Sequence, residues 1–176
     1  MEYEIGQSIV HPAHGPGEVV KVERMELVDG FRRYYVIRFA NKELTVHIPF
    51  KRIEDLGLRT IMSVDKAKQV LATLQSLPHE LPSDYKKRQK QLEELVFSGY
   101  PLKIAQAVRE LTWRRQDKKQ LSMEDRRLLE QGRELLIEEM SLALHTDAKR
   151  TEQVIDEALA VALENDNAFV EEAVAA

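Results

Sequence analysis

The first fifty residues alternate between apolar and polar side chains in short runs. Runs over residues 5–10, 18–28, 31–39 and 44–48 are typical of half-buried strands. Chain breakers separate them, including Pro12 and the Asp29-Gly30 pair that favours a type I′ hairpin turn. Four or five short strands joined by tight turns predict a small open β barrel, and such a barrel leaves an edge strand that can accept a partner strand.

From Ser63 onward the apolar residues recur every three or four positions, which is the period of an amphipathic helix. The segment 77–82 interrupts this pattern with two prolines and is predicted to be a linker. Helices are predicted over 63–77 and 84–98, then from Pro101, after the Ser122 capping signal, and after Thr146-Asp147.

The sequence therefore predicts an α+β protein, with an N-terminal small β barrel followed by a C-terminal all-α helical domain. We place the first domain at residues 1–58 and the helical domain at 59–164. Residues 165–176 are acidic and are predicted to form a flexible tail.

Composition narrows the class of protein. The 176 residues include no Cys, which excludes disulfides and thiolate metal sites. No apolar run approaches the roughly 20 residues that span a bilayer, and the N-terminus has no apolar signal segment. We expect a cytoplasmic protein without a membrane partner.

Charge is unevenly distributed along the chain. The net charge is −4, but residues 61–120 carry 12 Lys/Arg against 7 Asp/Glu, whereas residues 121–176 carry 5 against 14. Because the local field steers a polyanion, the basic middle segment remains a candidate for nucleic-acid binding.

The basic segment is densest just after the linker, at Lys86, Lys87, Arg88 and Lys90. Cations at a helix start oppose the helix dipole, so a phosphate contact is one interpretation, and a merely solvated charged face is the other. Arg88 projects nearer the apolar side of the helix than the three lysines. Tyr85 projects on the apolar side, so it either packs under the linker or protrudes as a wedge into a minor groove.

Catalytic chemistry finds little support in the sequence. His11 and His14 are close but lie in a predicted turn without further metal ligands nearby, so we interpret them as structural. No phosphate-binding glycine loop or nucleophile elbow is present. Trp113 is interpreted as core or inter-helix packing. We expect no enzyme activity, no cofactor, no metal and no small-molecule substrate.

Several stretches resemble the CarD/CdnL family of bacterial transcription regulators over roughly residues 3–164. The matching stretches are IGQSIVHPAHGPGEV, KELTVHIP, GLRTIM, the LP-x-x-aromatic-basic run at 81–90, and AQAVRELTWRRQDKKQLSMEDRRLLEQGRELLIEEM. The N-terminal part is also similar to the polymerase-docking module of the transcription-repair coupling factor.

This resemblance implies a function. The N-terminal domain would be Tudor-like and would dock on the β subunit of bacterial RNA polymerase through an exposed strand. The helical domain would contact promoter DNA near the −10 element, without reading its sequence, and would stabilise the open complex, especially at stable-RNA promoters. A nucleoid-associated location follows.

The resemblance also assigns residues. Tyr85 takes the minor-groove wedge position, where many relatives have Trp, and phosphate contacts fall on Lys86, Lys87, Arg88 and Lys90. The docking strand comprises Leu44, Thr45, Val46, His47 and Ile48. Relatives often place basic residues where His47 and Glu26 stand, so the electrostatic part of docking differs here.

An adaptor that binds two proteins and makes no DNA contact is the alternative function. In that case the barrel would bind one partner, and the acidic half of the helical domain would bind the other.

Overall fold

The computed structural model describes the backbone of residues 2–28, 30–39, 42–118 and 120–175, and the side chains within these ranges except at 27, 28 and 165–175. The chain divides into two compact units, Met1–Ile61 and Met62–Ala176. The first unit is a β domain and the second is helical, so the predicted α+β class is confirmed.

In the part of the first unit that the structure describes, five antiparallel strands form a sheet in the order β4-β3-β2-β1-β5. Their bounds are Ser8–His11 (β1), Gly15–Val28 (β2), Phe31–Phe39 (β3), Leu44–Pro49 (β4) and Arg59–Thr60 (β5). A short 3-10 helix over Phe50–Arg52 follows β4. Burial alternates along β4, as the sequence pattern predicts, whereas four consecutive residues of β3, at 34–37, are all buried.

Three residues on the same face of β3 belong to the core of this unit. Tyr35, Ile37 and Phe39 are buried against the other strands. A Cβ atom on Gly17 would lie 2.8 Å from the Phe39 ring, so β2 needs a glycine there for the ring to lie flat on the strand. Gly30 has φ of 85°, as a hairpin turn requires, whereas its predicted turn partner Asp29 lies outside the described residues.

The boundary between the units falls within the predicted connector. Residues 51–62 have no strand pattern and predict a connector, but Arg59 and Thr60 pair with Val10 and Ile9. The sheet therefore includes residues 59 and 60, and the first compact unit ends at Ile61.

The described residues of the second unit form five helices. Their bounds are Val64–Gln75 (α1), Tyr85–Val96 (α2), Pro101–Lys118 (α3), Met123–Ala143 (α4) and Ala148–Ala175 (α5). Ser63, Asp84 and Ser122 cap α1, α2 and α4 by accepting a hydrogen bond from the backbone N–H three residues later. The backbone of residues 165–175 continues α5, and flexibility of this segment stays a prediction.

Helix α3 is the central element, since it packs against α1, α2 and α4, while α5 packs against α1 and α4. Its buried stripe includes Ile104, Ala105, Val108 and Leu111, which recur at the period of a helix. Gly132 of α4 faces this stripe, and a Cβ atom there would lie 2.9 Å from Val108 Cγ2. The glycine lets α3 and α4 approach closely.

A buried carboxylate joins α2, α3 and α4 at one end of the unit. Asp125 is fully buried, and it accepts hydrogen bonds from Gln89 Nε2 of α2 and, at 3.3 Å, from Arg114 Nε of α3. Its own backbone N–H donates to Ser122 Oγ at 3.1 Å. The first turns of α2 and α4 therefore lie side by side, next to the last turns of α3.

We expect Gly132→Ala to lower the free energy of unfolding, measured by urea denaturation. Ala favours a helix over Gly by about 1 kcal/mol, but overpacking a filled core costs roughly 1–3 kcal/mol. In a Val108→Ala background the crowding is relieved, and the same change should raise stability. Equal losses of stability in both backgrounds would contradict this explanation.

Candidate functional site

Helix α2 begins at Tyr85 because Asp84 caps it. The Asp84 carboxylate accepts a hydrogen bond from the Lys87 backbone N–H at 2.8 Å, and Asp84 has an extended backbone. No acidic residue lies in the first turn of α2. The positive end of the helix dipole and the lysine side chains therefore carry charge of the same sign, which the Asp84 carboxylate of the cap offsets in part.

The lysines of this turn are presented to solvent. Lys86, Lys87 and Lys90 are all exposed. Lys90 Nζ lies 3.9 Å from Glu94 Oε1, so its charge is partly compensated. Among the described residues, no acidic group lies within 4 Å of the Lys86 or Lys87 ammonium. These two lysines are the freer cations and the better candidates for phosphate contact.

Arg88 is placed differently from its neighbours. Only 5% of the residue is exposed, and its Nη1 atom donates hydrogen bonds of 3.1 Å to the carbonyls of Pro82 and Ser83. The helical projection predicts this orientation towards the apolar side. In this structure Arg88 is therefore not presented for the phosphate contact that the resemblance assigned to it.

Tyr85 is 50% exposed, although its projection lies on the apolar side of α2. The Arg88 guanidinium carbon lies 5.5 Å from the centroid of the Tyr85 ring, within the range of a cation–π contact. Tyr85 is at the first helical position of α2, and half of its surface is accessible to solvent. The geometry favours a presented aromatic ring over a packed one.

Trp113 lies on α3, and it is partly buried. Its indole N–H has no hydrogen-bond partner among the described residues, and the side chain lines an open cavity together with Pro78, Leu81 and Pro82 of the linker. The interpretation of Trp113 as core or inter-helix packing stays a prediction.

The predicted docking strand lies at an edge of the sheet. Strand β4 pairs with β3 on one side and is the last strand in the sheet order. Leu44, Val46 and Ile48 turn towards the core, whereas Thr45 and His47 are exposed. Its outer backbone groups therefore offer a row of donors and acceptors to an incoming strand.

The exposed end of His47 contacts the Glu23 carboxylate. Its Nε2 atom lies 3.5 Å from Glu23 Oε2, and Glu23 also accepts a hydrogen bond from Lys21 Nζ. The Lys21 hydrogen bond is the main reason that the pKa of Glu23 is lowered. Glu26 is exposed on the same strand as Glu23, and so are the cationic side chains of Lys21 and Arg24.

His11 and His14 stack on each other, with ring centroids 4.6 Å apart and the Phe39 ring against both. Burial lowers the pKa of His11 to about 4, with smaller effects from His14 and Lys42, and burial also lowers the pKa of His14. Both rings are therefore neutral at physiological pH. Within the described ranges, no group of three or more His, Asp or Glu side chains is placed to hold a metal ion.

Two family models match this chain. The model of the CarD C-terminal domain matches residues 69–156, and the model of the CarD-like/TRCF RID domain matches residues 3–62. The chain belongs to the CarD-like family. The resemblance drawn from the sequence is thereby confirmed, and family membership supports a role in transcription regulation.

A curated relative of this CarD-like chain comes from Bacillus subtilis (strain 168), where it is named "Putative transcription factor YdeB". The two are 28% identical over 140 residues, which is 80% of this chain and 91% of the relative. The match therefore spans both domains.

Sequence reasoning missed a buried ion pair in this CarD-like protein. Arg109 and Glu110 of α3 are 3% and 2% exposed and contact each other. Glu110 accepts the backbone N–H of His79, in the linker, through both carboxylate oxygens at 2.9 and 3.0 Å. The available signal was a charged pair placed between the apolar positions Val108 and Leu111.

Over the described part of this CarD-like chain, no helix is both long and apolar enough to cross a bilayer.

Proposed function

We propose that this CarD-like protein is a transcription initiation factor that docks on the β subunit of bacterial RNA polymerase and stabilises the promoter open complex. Strand β4 would make the docking contact, and the start of α2 would contact duplex DNA near the −10 element. The protein would act by binding, without catalysing a reaction. The observation that carries the proposal is the exposed Tyr85 ring beside the exposed Lys86 and Lys87. In the same chain, β4 is an edge strand of the sheet.

The cations support weak DNA binding that does not depend on sequence. Each phosphate contact releases counterions, so affinity falls steeply with salt. Two or three lysines cannot hold duplex DNA tightly at physiological salt, but docking on polymerase raises their effective concentration at the promoter. A protein of net charge −4 can then act on DNA.

The exposed aromatic ring supports a role at the point of melting. A ring inserted at a base step unstacks it partially and favours the opened duplex. Tyr85 offers a smaller face than the Trp of many relatives, so its stacking contribution is smaller. Specificity would come from docking and from the deformability of the promoter, rather than from base reading.

The edge position of β4 supports docking by strand addition. In that mode the backbone hydrogen bonds supply affinity and alternate side chains supply specificity. Thr45 and His47 are the alternate side chains that β4 exposes. The match to the CarD-like/TRCF RID domain supports RNA polymerase as the partner.

Replacing both Lys86 and Lys87 with Glu should shorten the lifetime of the open complex, because carboxylates would then face phosphates. Polymerase binding, measured by pull-down, should persist. For the isolated protein on promoter duplex, the salt slope should fall by about 1.8, since each phosphate contact contributes roughly 0.9 to the slope. The double change Lys66→Glu with Lys68→Glu on α1 is the matched control. An unchanged lifetime would exclude DNA contact and favour the adaptor function.

Replacing Tyr85 with Ala should shorten the open-complex lifetime, and replacing it with Trp should lengthen it, because stacking scales with the aromatic face. Competitor-challenge kinetics on a stable-RNA promoter measure this. Lys87→Ala serves as a control that removes charge but keeps the ring. Equal lifetimes for Tyr, Ala and Trp would return residue 85 to a packing role.

Proline in β4 should abolish polymerase binding if the backbone of this strand pairs with the partner. Neighbouring residues of a strand direct their N–H groups to opposite sides, so Val46→Pro and His47→Pro are made separately. In one of the two variants the lost N–H points away from β3. That variant keeps the β3–β4 hydrogen bonds, so its thermal unfolding temperature should be unchanged. If that folded variant still binds polymerase, docking through β4 is wrong.

A further inference from the structure

The segment between α1 and α2 has almost no apolar packing. None of the side chains of residues 76–84 is buried, and Leu77 is 59% exposed. An open cavity of about 740 Å³ lies between this linker and the last turns of α3. Hydrophobic burial therefore contributes little to the position of the linker, which leads directly into Tyr85.

Polar contacts fix the end of the linker next to α1. Glu110 accepts the His79 backbone N–H through both of its carboxylate oxygens. Arg109 Nη1 donates to the Thr73 carbonyl at 3.3 Å and to Ser76 Oγ, and its Nη2 lies 2.7 Å from His79 Nδ1. Burying such a pair is costly. Here the two charges hold Ser76 and His79 of the linker, together with the Thr73 carbonyl in the last turn of α1.

Arg88 fixes the end next to α2. It holds the carbonyls of Pro82 and Ser83, and the same guanidinium lies against the Tyr85 ring. It also lines the cavity. One buried side chain therefore contacts both the linker and the ring that the proposed function uses.

We propose that Arg88 is a positioning residue, which holds the linker and the Tyr85 ring from inside and makes no phosphate contact. The Arg109–Glu110 pair is its counterpart at the other end of the linker. This inference rests on the proposed function for the role of Tyr85, but the pinning of the linker can be measured without DNA.

A guanidinium suits this role because it is planar and carries several donors in a fixed geometry. A Lys at position 88 keeps the positive charge, but it has a single ammonium and no planar face to lie against the ring. The charge-conserving change Arg88→Lys therefore separates positioning from phosphate binding.

The experiment compares Arg88→Lys, Arg88→Met and Lys87→Ala in the full chain. We expect both Arg88 variants to shorten the open-complex lifetime as much as Tyr85→Ala, to retain polymerase binding, and to speed amide hydrogen exchange over residues 77–87. Their salt slopes on duplex DNA should equal that of the unaltered protein. Lys87→Ala should lower the slope by about 0.9 and leave exchange unchanged.

Two results would overturn the inference. One is a salt slope that falls in Arg88→Met and is restored in Arg88→Lys, which identifies a phosphate contact. The other is an Arg88→Lys variant with unaltered exchange and lifetime. If the unaltered protein itself has no effect on the open complex, the proposed function fails, while faster exchange in Arg88→Lys still supports the pinning.

If the Arg88 variants do not fold, Glu110→Gln tests whether the position of the linker affects the open complex. An amide cannot accept the His79 N–H through two oxygens, so exchange over residues 77–80 should rise. The open-complex lifetime should fall with the salt slope unchanged. Faster exchange with a full lifetime would show that the position of the linker does not matter for the ring.

Discussion

The hydrogen bonds of Asp125 decide the geometry of the helical domain. A fully buried carboxylate is tolerated only when donors surround it. Here Gln89 Nε2 and Arg114 Nε supply them, while the Asp125 backbone N–H donates to Ser122 Oγ. Since these groups belong to α2, α3 and the start of α4, the bond set fixes three helices at one end of the domain. The exposed lysines and Tyr85 lie one turn from it, so their placement follows from a contact that they do not make.

Much of the fold follows from local pattern. The alternation in the first fifty residues and the Ser122 capping signal depend on near neighbours in sequence, and the structure has strands β1 to β4 and the start of α4 at the expected positions. The helical projection also separates Arg88 from the three lysines. The exposed position of Lys86 and Lys87 follows from the same period.

Long-range contacts account for what the pattern did not predict. Strand β5 has only two residues, and nothing in Arg59-Thr60 indicates that β1 will pair with them. Tyr85 projects on the apolar side, yet half of its surface is exposed to solvent. Arg109 and Glu110 resemble ordinary surface charges within a helix, whereas the fold buries both of them under the linker. Each outcome depends on a segment distant along the chain.

The edge strand that would dock on polymerase is short. It covers Leu44–Pro49 and ends in a residue that has no backbone N–H to donate. An incoming chain therefore finds only a few ladder positions, at about 1 kcal/mol net for each hydrogen bond. Docking through so few bonds would favour exchange over permanent occupancy. Under the proposed function, one copy would leave a polymerase and join another, so that a small number of copies would serve many rounds of initiation.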